Sequence, residues 1–185
     1  MSLATDMAQL LLRQTLQPGD WVVDATVGNG HDTVWLAHIV GPTGRVFGFD
    51  VQAAALAATA QRIAGLPQVT LVHSGHQHMA AMLPAAAAGK LAAVMFNLGF
   101  LPGADKSIVT HAETTLAALQ QATDRLAVGG QITVVQYPGH PGGADEAAAV
   151  HAWARQLPDT VAATSFARLN VAGPAPELLA ITRIR

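Results

Sequence analysis

The chain has 185 residues, enough for one domain with a full hydrophobic core and too few for two of ordinary size. Hydrophobic residues make up 51% and charged ones 12%, which excludes disorder as the main state. The formal net charge of −2 excludes a chain-wide basic face for nucleic acid, though not a small local one, and the lack of cysteine excludes disulfides, thiolate zinc sites and cysteine nucleophiles.

The first residues, Met1-Ser2-Leu3-Ala4-Thr5-Asp6, lack a basic stretch followed by a long apolar run, so no secretory leader is expected. No run of apolar residues is long enough for a membrane span. The expected location is the cytoplasm. Leucines at helical spacing over 7–16, stopped by Pro18-Gly19, predict a lead-in helix within the first 18 residues. Residues 21–25 read as a short buried strand, and a glycine-rich turn leads into a helix over 31–40. A second strand covers 45–50, an alanine-rich helix 52–64, and a third strand 69–73. The region 76–88 reads as helical with a break at Pro84. A fourth strand covers 91–97, a loop 99–105, a long helix 107–126 ended by Gly129-Gly130, and a fifth strand 131–137. A helix over 145–157 precedes two strands, 164–170 and 177–184, around a Gly-Pro-Ala-Pro turn.

Strands separated by helices imply right-handed crossovers and a mostly parallel sheet. The last two strands have no helix between them, so they form a hairpin that puts one antiparallel strand into the sheet. The expected fold is a single α/β domain over 1–185. It is Rossmann-like, with a seven-stranded, mostly parallel sheet, an antiparallel C-terminal hairpin strand and helices on both faces. This ending resembles class I methyltransferases more than dinucleotide dehydrogenases.

The segment Asp24-Ala25-Thr26-Val27-Gly28-Asn29-Gly30-His31-Asp32-Thr33 joins the first strand to its helix. Gly28 and Gly30 let the backbone turn sharply and approach a ligand, and open α/β sheets bind ligands at this edge. An ordinary strand-to-helix turn is the plain alternative. Asp24 suits an ammonium or an ordered water better than a pyrophosphate, and Asp32 stands where a dinucleotide fingerprint wants a third glycine. Asp50 ends the second strand, where an acidic side chain accepts ribose hydroxyls or caps the helix that follows. Ser74 and His76, after the third strand, are expected near an adenine. Together these favour an adenosine-containing ligand.

Asn97-Leu98-Gly99-Phe100-Leu101-Pro102-Gly103 follows the fourth strand. The Asn97 carbonyl can accept a hydrogen bond from an amine, and Phe100 can stack on a base, or the segment is a plain turn with a core Phe. Asp105, Lys106, Tyr137, His140, Asp145 and Glu146 gather around neighbouring loops, and His140, Asp105 or Asp145 are candidates to accept a proton. His73, His76 and His78 lie close in sequence, but no carboxylate cluster or cysteine supports a metal site, so none is expected. Trp21, Trp35 and Trp153 read as packing residues.

The first-loop motif, Phe96-Asn97-Leu98-Gly99-Phe100-Leu101-Pro102-Gly103-Ala104-Asp105-Lys106 and Tyr137-Pro138-Gly139-His140-Pro141-Gly142-Gly143 together resemble the small bacterial methyltransferases long labelled rRNA methylases. That group is similar to tRNA 5-aminomethyl-2-thiouridine methyltransferases of the MnmM type. The resemblance covers nearly the whole chain. It implies N-methylation of the aminomethyl group on a wobble uridine, with S-adenosylmethionine as donor and the anticodon region of tRNA as partner. By the matching motifs, Asp24, Thr26, Gly28, Asn29, Gly30, His31, Asp32, Asp50 and Gln52 would line the donor site. Asn97, Tyr137, His140 and Pro141 would line the substrate site, with Asn97, His140, Asp105 and Tyr137 nearest the chemistry. The family usually has Tyr and Gly where this chain has Phe100 and Ala104, so the ring keeps stacking but loses a hydroxyl. An rRNA or small-molecule amine substrate, or a nucleotide-binding module without catalysis, are the alternatives. Poorly charged helices leave room for a homodimer.

Overall fold

The structure, a computed structural model, describes residues 2–99 and 109–185. Helix α1, Leu3–Thr15, starts four residues before the leucine spacing predicts, because Ser2 caps it: the Ser2 Oγ accepts the Thr5 N–H at 3.2 Å. Strand β1, Trp21–Asp24, runs into the glycine loop, and α2, His31–Val40, starts from Gly30 in the left-handed region at φ 78°. Strand β2, Arg45–Asp50, α3, Ala53–Arg62, and β3, Val69–His73, follow. The 76–88 region is a short 3₁₀ turn, the single-turn helix α4, Met79–Met82, and a second 3₁₀ turn after Pro84. Strand β4 is Leu91–Asn97.

Several later boundaries differ from the sequence reading. Helix α5 is Ala112–Arg125, and Thr110 and His111 before it are not helical; the Thr110 backbone and hydroxyl are engaged with Gly99 instead. Strand β5 is Leu126–Gln136, so Gly129 and Gly130 lie inside it rather than ending a helix. A register shift absorbs them: Leu91 pairs with Leu126, but Ala93 pairs with Gln131. After α6, Gly143–Ala154, strand β6 is Val161–Phe166, earlier than expected. It is an edge strand with residues 162–166 exposed, so it carries no burial alternation to read. Its bounds are set by pairing with β7, Glu177–Arg183.

The seven-stranded sheet has the order β3-β2-β1-β4-β5-β7-β6. Only β7 runs against the rest, antiparallel to both β5 and β6. Alternate strand residues feed two cores. Val22, Val46, Met95, Val135 and Leu178 pack under α1 and α2, while Val23, Phe47, Val94, Ile132 and Ile181 pack under α4, α5 and α6. Trp21 and Trp153 pack on the second core and Trp35 on the first, as expected of packing residues. Among the described residues no helix is long and apolar enough to cross a membrane. The strand order reverses between β1 and β4, so Asp24 and Asn97 end adjacent strands at the crevice where such sheets bind ligands.

Candidate active site

A cleft of about 950 Å³ opens over the carboxyl ends of β1, β2 and β4. Its volume suits a nucleoside-sized ligand together with part of a second molecule. Thr26, Gly28, Asn29, His31, Asp32, Asp50, Gln52, Ser74, His76, Asn97, Tyr137 and His140 all line it. Asp24, Gly30, Pro141 and Asp145 do not. Asp145 is exposed on the first turn of α6, away from the cleft. Phe100, Asp105 and Lys106 lie outside the described residues.

The glycine loop is held from three sides. The Gly28 N–H donates to Asp50 Oδ2 at 2.8 Å, and the Gln52 N–H donates to Asp50 Oδ1 at 2.8 Å. Asp50 thus ties the loop to the start of α3 while its outer lone pairs still face the cleft. From α3, the Thr59 hydroxyl donates to the Gly28 carbonyl at 3.2 Å. Beneath the loop, Asp24 is 1% exposed. Its oxygens accept the Thr26 N–H and the Thr33 hydroxyl. Burial, then the charge of Asp32, pushes the Asp24 carboxyl up to about 7, against those two hydrogen bonds. Burial also pushes Asp32 up, opposed by hydrogen bonds from Gln9 and Asn97 and by His31. The floor of the cleft therefore concentrates negative charge that is poorly solvated, which favours a cationic ligand and disfavours an anionic one.

On the other side of the cleft, the Asn97 N–H donates to Thr26 Oγ1 at 2.7 Å, and its side-chain Nδ2 donates to Asp32 Oδ2. The Asn97 Oδ1 is buried and has no hydrogen-bond partner among the described residues. Gly99 is clamped to Thr110 twice: its N–H donates to the Thr110 hydroxyl at 2.8 Å, and its carbonyl accepts the Thr110 N–H at 3.0 Å. Thr110 in turn donates to the buried Glu146, which also accepts the Thr115 hydroxyl, each at 2.7 Å. The His140 Nδ1 meets the Pro141 carbonyl at 2.9 Å, which assigns the proton to Nδ1. The ring packs against Gly99 and Gly143, and at Gly143 a Cβ would crowd it.

The neighbouring histidines do not converge. His73 Nε2 meets the Val51 carbonyl at 3.0 Å and His76 Nδ1 the Ala25 carbonyl at 3.2 Å. Among the described residues no group of three His, Asp or Glu is placed to hold a metal ion. Burial pushes the His76 ring below its ordinary value, so a neutral imidazole, edge-on to Phe96, faces the cleft.

Sequence reading missed the contribution of α1. Ser2 and Thr5 line the cleft, Thr5 Oγ1 lies 3.4 Å from the Tyr137 hydroxyl, and Gln9 Nε2 donates to Asp32 Oδ1 at 2.8 Å. The available signal was polar residues at 2, 5 and 9, one helical face in an otherwise leucine- and alanine-rich segment.

Residues 46–182 match the sequence profile of the family described as "Putative rRNA methylase". A curated relative from Arabidopsis thaliana, "tRNA (mnm(5)s(2)U34)-methyltransferase, chloroplastic", is 39% identical over 84% of this chain and 60% of its own length. The chain thus spans under two thirds of that relative. A solved structure of a putative rRNA-methylase from Clostridium thermocellum superposes with a TM-score of 0.93 at 38% identity, covering 100% of this chain and 99% of the other. A putative methyltransferase from Streptococcus mutans, solved in complex with SAH, gives 0.87 at 29% identity, covering 99% of each chain.

Proposed function

The chain belongs to the family described as "Putative rRNA methylase", and we propose that it is an S-adenosylmethionine-dependent N-methyltransferase acting on the 5-aminomethyl group of wobble 2-thiouridine in tRNA. The observation that carries this reading is the buried Asn97 Oδ1, without a partner among the described residues, an acceptor set in the same cleft as the glycine loop and Asp50. A buried acceptor without a donor costs about 1–3 kcal/mol, and an amine substrate supplies the missing N–H. The curated relative's name supports the tRNA substrate. The SAH held by the Streptococcus mutans protein supports the donor.

The residues fit that donor. Asp50 keeps outer lone pairs toward the cleft for ribose hydroxyls, and the carboxylates under the loop favour a cation over a diphosphate. When bound, S-adenosylmethionine supplies a methyl group on a positively charged sulfur, open to in-line displacement. Asn97 accepts one amine N–H and so turns the nitrogen lone pair toward the donor side of the cleft. Tyr137 lies on the substrate side, tied to α1 through Thr5. The amine must lose a proton, and His140 is assigned to receive it: it lines the cleft and has its Nδ1 proton fixed on Pro141, which makes Nε2 the basic nitrogen. The single domain over 1–185 would act in the cytoplasm on the anticodon region, with a homodimer as its assembly.

A small-molecule amine is the competing substrate, favoured by a chain with ten Lys and Arg against twelve Asp and Glu. Mass spectrometry of tRNA nucleosides from a deletion strain separates the two. Accumulated aminomethyl uridine with loss of the methylated form is the expected result. An unchanged nucleoside profile removes the tRNA reading.

A further inference from the structure

Helix α1 reaches the carboxylate behind Asn97. The Gln9 Nε2 donates to Asp32 Oδ1 at 2.8 Å, and Asp32 Oδ2 takes the Asn97 Nδ2. An ionised carboxylate only accepts hydrogen bonds, so it decides which end of the Asn97 amide faces it. The NH₂ turns to Asp32, and the carbonyl oxygen is left unpartnered among the described residues.

We propose that Gln9 is a positioning residue for methyl transfer: by holding Asp32 as an acceptor, it keeps the Asn97 carbonyl, rather than its NH₂, available to the substrate amine. The proposal rests on the methyltransferase reading above. Four elements meet at Asp32: Gln9 from α1, Asn97 from β4, Asp24 from β1 and, beside it on α2, His31. Burial favours a protonated Asp32, while Gln9, His31 and Asn97 favour the ionised form. Without the Gln9 amide, Asp32 takes up a proton at higher pH. A protonated Asp32 donates as well as accepts, so it no longer holds the Asn97 amide in one orientation, and in part of the molecules the amide turns its carbonyl to Asp32. The NH₂ then faces the amine N–H, donor against donor, and the nucleophile loses its orientation. Asp50 and the glycine loop keep their contacts with the donor, so donor binding is compared at a pH where Asp32 is ionised in both proteins.

The test uses Gln9→Ala and Gln9→Glu in the full chain. Alanine is a good helix former, so α1 is kept. For Gln9→Ala, calorimetry with S-adenosylmethionine is expected to give wild-type affinity near pH 8, while kcat on unmethylated tRNA falls about tenfold at neutral pH with KM little changed. The acid limb of kcat moves to higher pH. In ¹⁵N spectra the Asn97 side-chain amide titrates at higher pH than in the wild type, a readout that needs no substrate. Gln9→Glu places a second carboxyl against Asp32, so its activity relative to wild type rises as the pH is lowered and the pair shares a proton. Wild-type kcat together with an unmoved Asn97 titration in Gln9→Ala overturns the proposal. A wild-type protein that does not methylate tRNA overturns the functional reading instead, and the amide titration still decides the role of Gln9.

Discussion

The Thr33 hydroxyl donates to Asp24 Oδ2 at 2.6 Å, beneath the glycine loop, so the carboxylate that ends β1 is satisfied from inside the protein. Its carboxyl is nevertheless pushed from 3.8 to about 7, first by burial and then by Asp32. A carboxyl whose folded pKa is raised costs stability when ionised. The cost is absent below the unfolded value, grows between 3.8 and about 7, and is complete above that. Asp24→Asn keeps the shape and removes the charge. Thermal melting of the wild type is expected to fall across this window as the pH rises, and the variant to fall less. Equal slopes would remove Asp24 as the source.

The same carboxyl gives ligand binding a pH dependence of the opposite sign. A cation in the cleft favours ionised Asp24, so binding below about 7 releases a proton. Affinity for S-adenosylmethionine should rise with pH through that value and level off above it, and Asp24→Asn should flatten the rise. The change expected is about tenfold, the worth of one pKa unit of interaction. Calorimetry in two buffers of different ionisation enthalpy reads the proton directly. No proton release near pH 6 would contradict the charge argument.

Asp50 carries both the loop and the expected ribose contact. Asp50→Ala leaves the Gly28 and Gln52 N–H groups without their acceptor and removes the carboxylate from the cleft. Donor affinity is expected to weaken about 10- to 100-fold, the range for a lost hydrogen bond to a charged group. Unchanged affinity would defeat the ribose assignment.

Much of this architecture was readable from residues alone, for physical reasons. The strands Arg45–Asp50, Val69–His73 and Leu91–Asn97 and the helix His31–Val40 stand where the sequence places them. Each is an apolar run with turn residues close by. Gly129 and Gly130 misled because a bulge hides them inside β5, and β6 misled because an exposed edge has no buried face to pattern. At the site, strand ends announce themselves by topology, so Asp50 and Asn97 could be singled out. The hydroxyls and amides that hold them could not. Gln9 meets a residue 23 positions away, and Thr5 one 132 away. The polar face at 2, 5 and 9 shows in the spacing of α1, but the partners it meets do not.

Glu146 shows such a hidden support, buried and bridging Thr110 to Thr115. Glu146→Ala strands both hydroxyls and loosens the clamp on Gly99. A loss of about 1–3 kcal/mol is expected, with a lower melting temperature. Glu146→Gln should cost less, because Thr110, already an acceptor from Gly99, can also accept from the new amide. Equal melting temperatures for Glu146→Ala and wild type would show that the buried bridge is not holding the clamp.

Gly30 is required twice over. Its φ of 78° is a conformation that side chains rarely adopt, and a Cβ there would stand 2.5 Å from the Thr59 hydroxyl oxygen. Gly30→Ala therefore combines backbone strain with a clash against the helix that braces the loop, and a loss of at least about 1 kcal/mol is expected. The two parts separate in a double-mutant cycle. Thr59→Ala removes the atoms that would clash, and with them the hydrogen bond to the Gly28 carbonyl. Adding it to Gly30→Ala should recover the steric part but not the strain, giving a negative coupling between the two substitutions. Strictly additive losses would mean that the loop, rather than Thr59, moves to make room. Donor affinity would then fall in the single Gly30→Ala variant by more than its loss of stability explains.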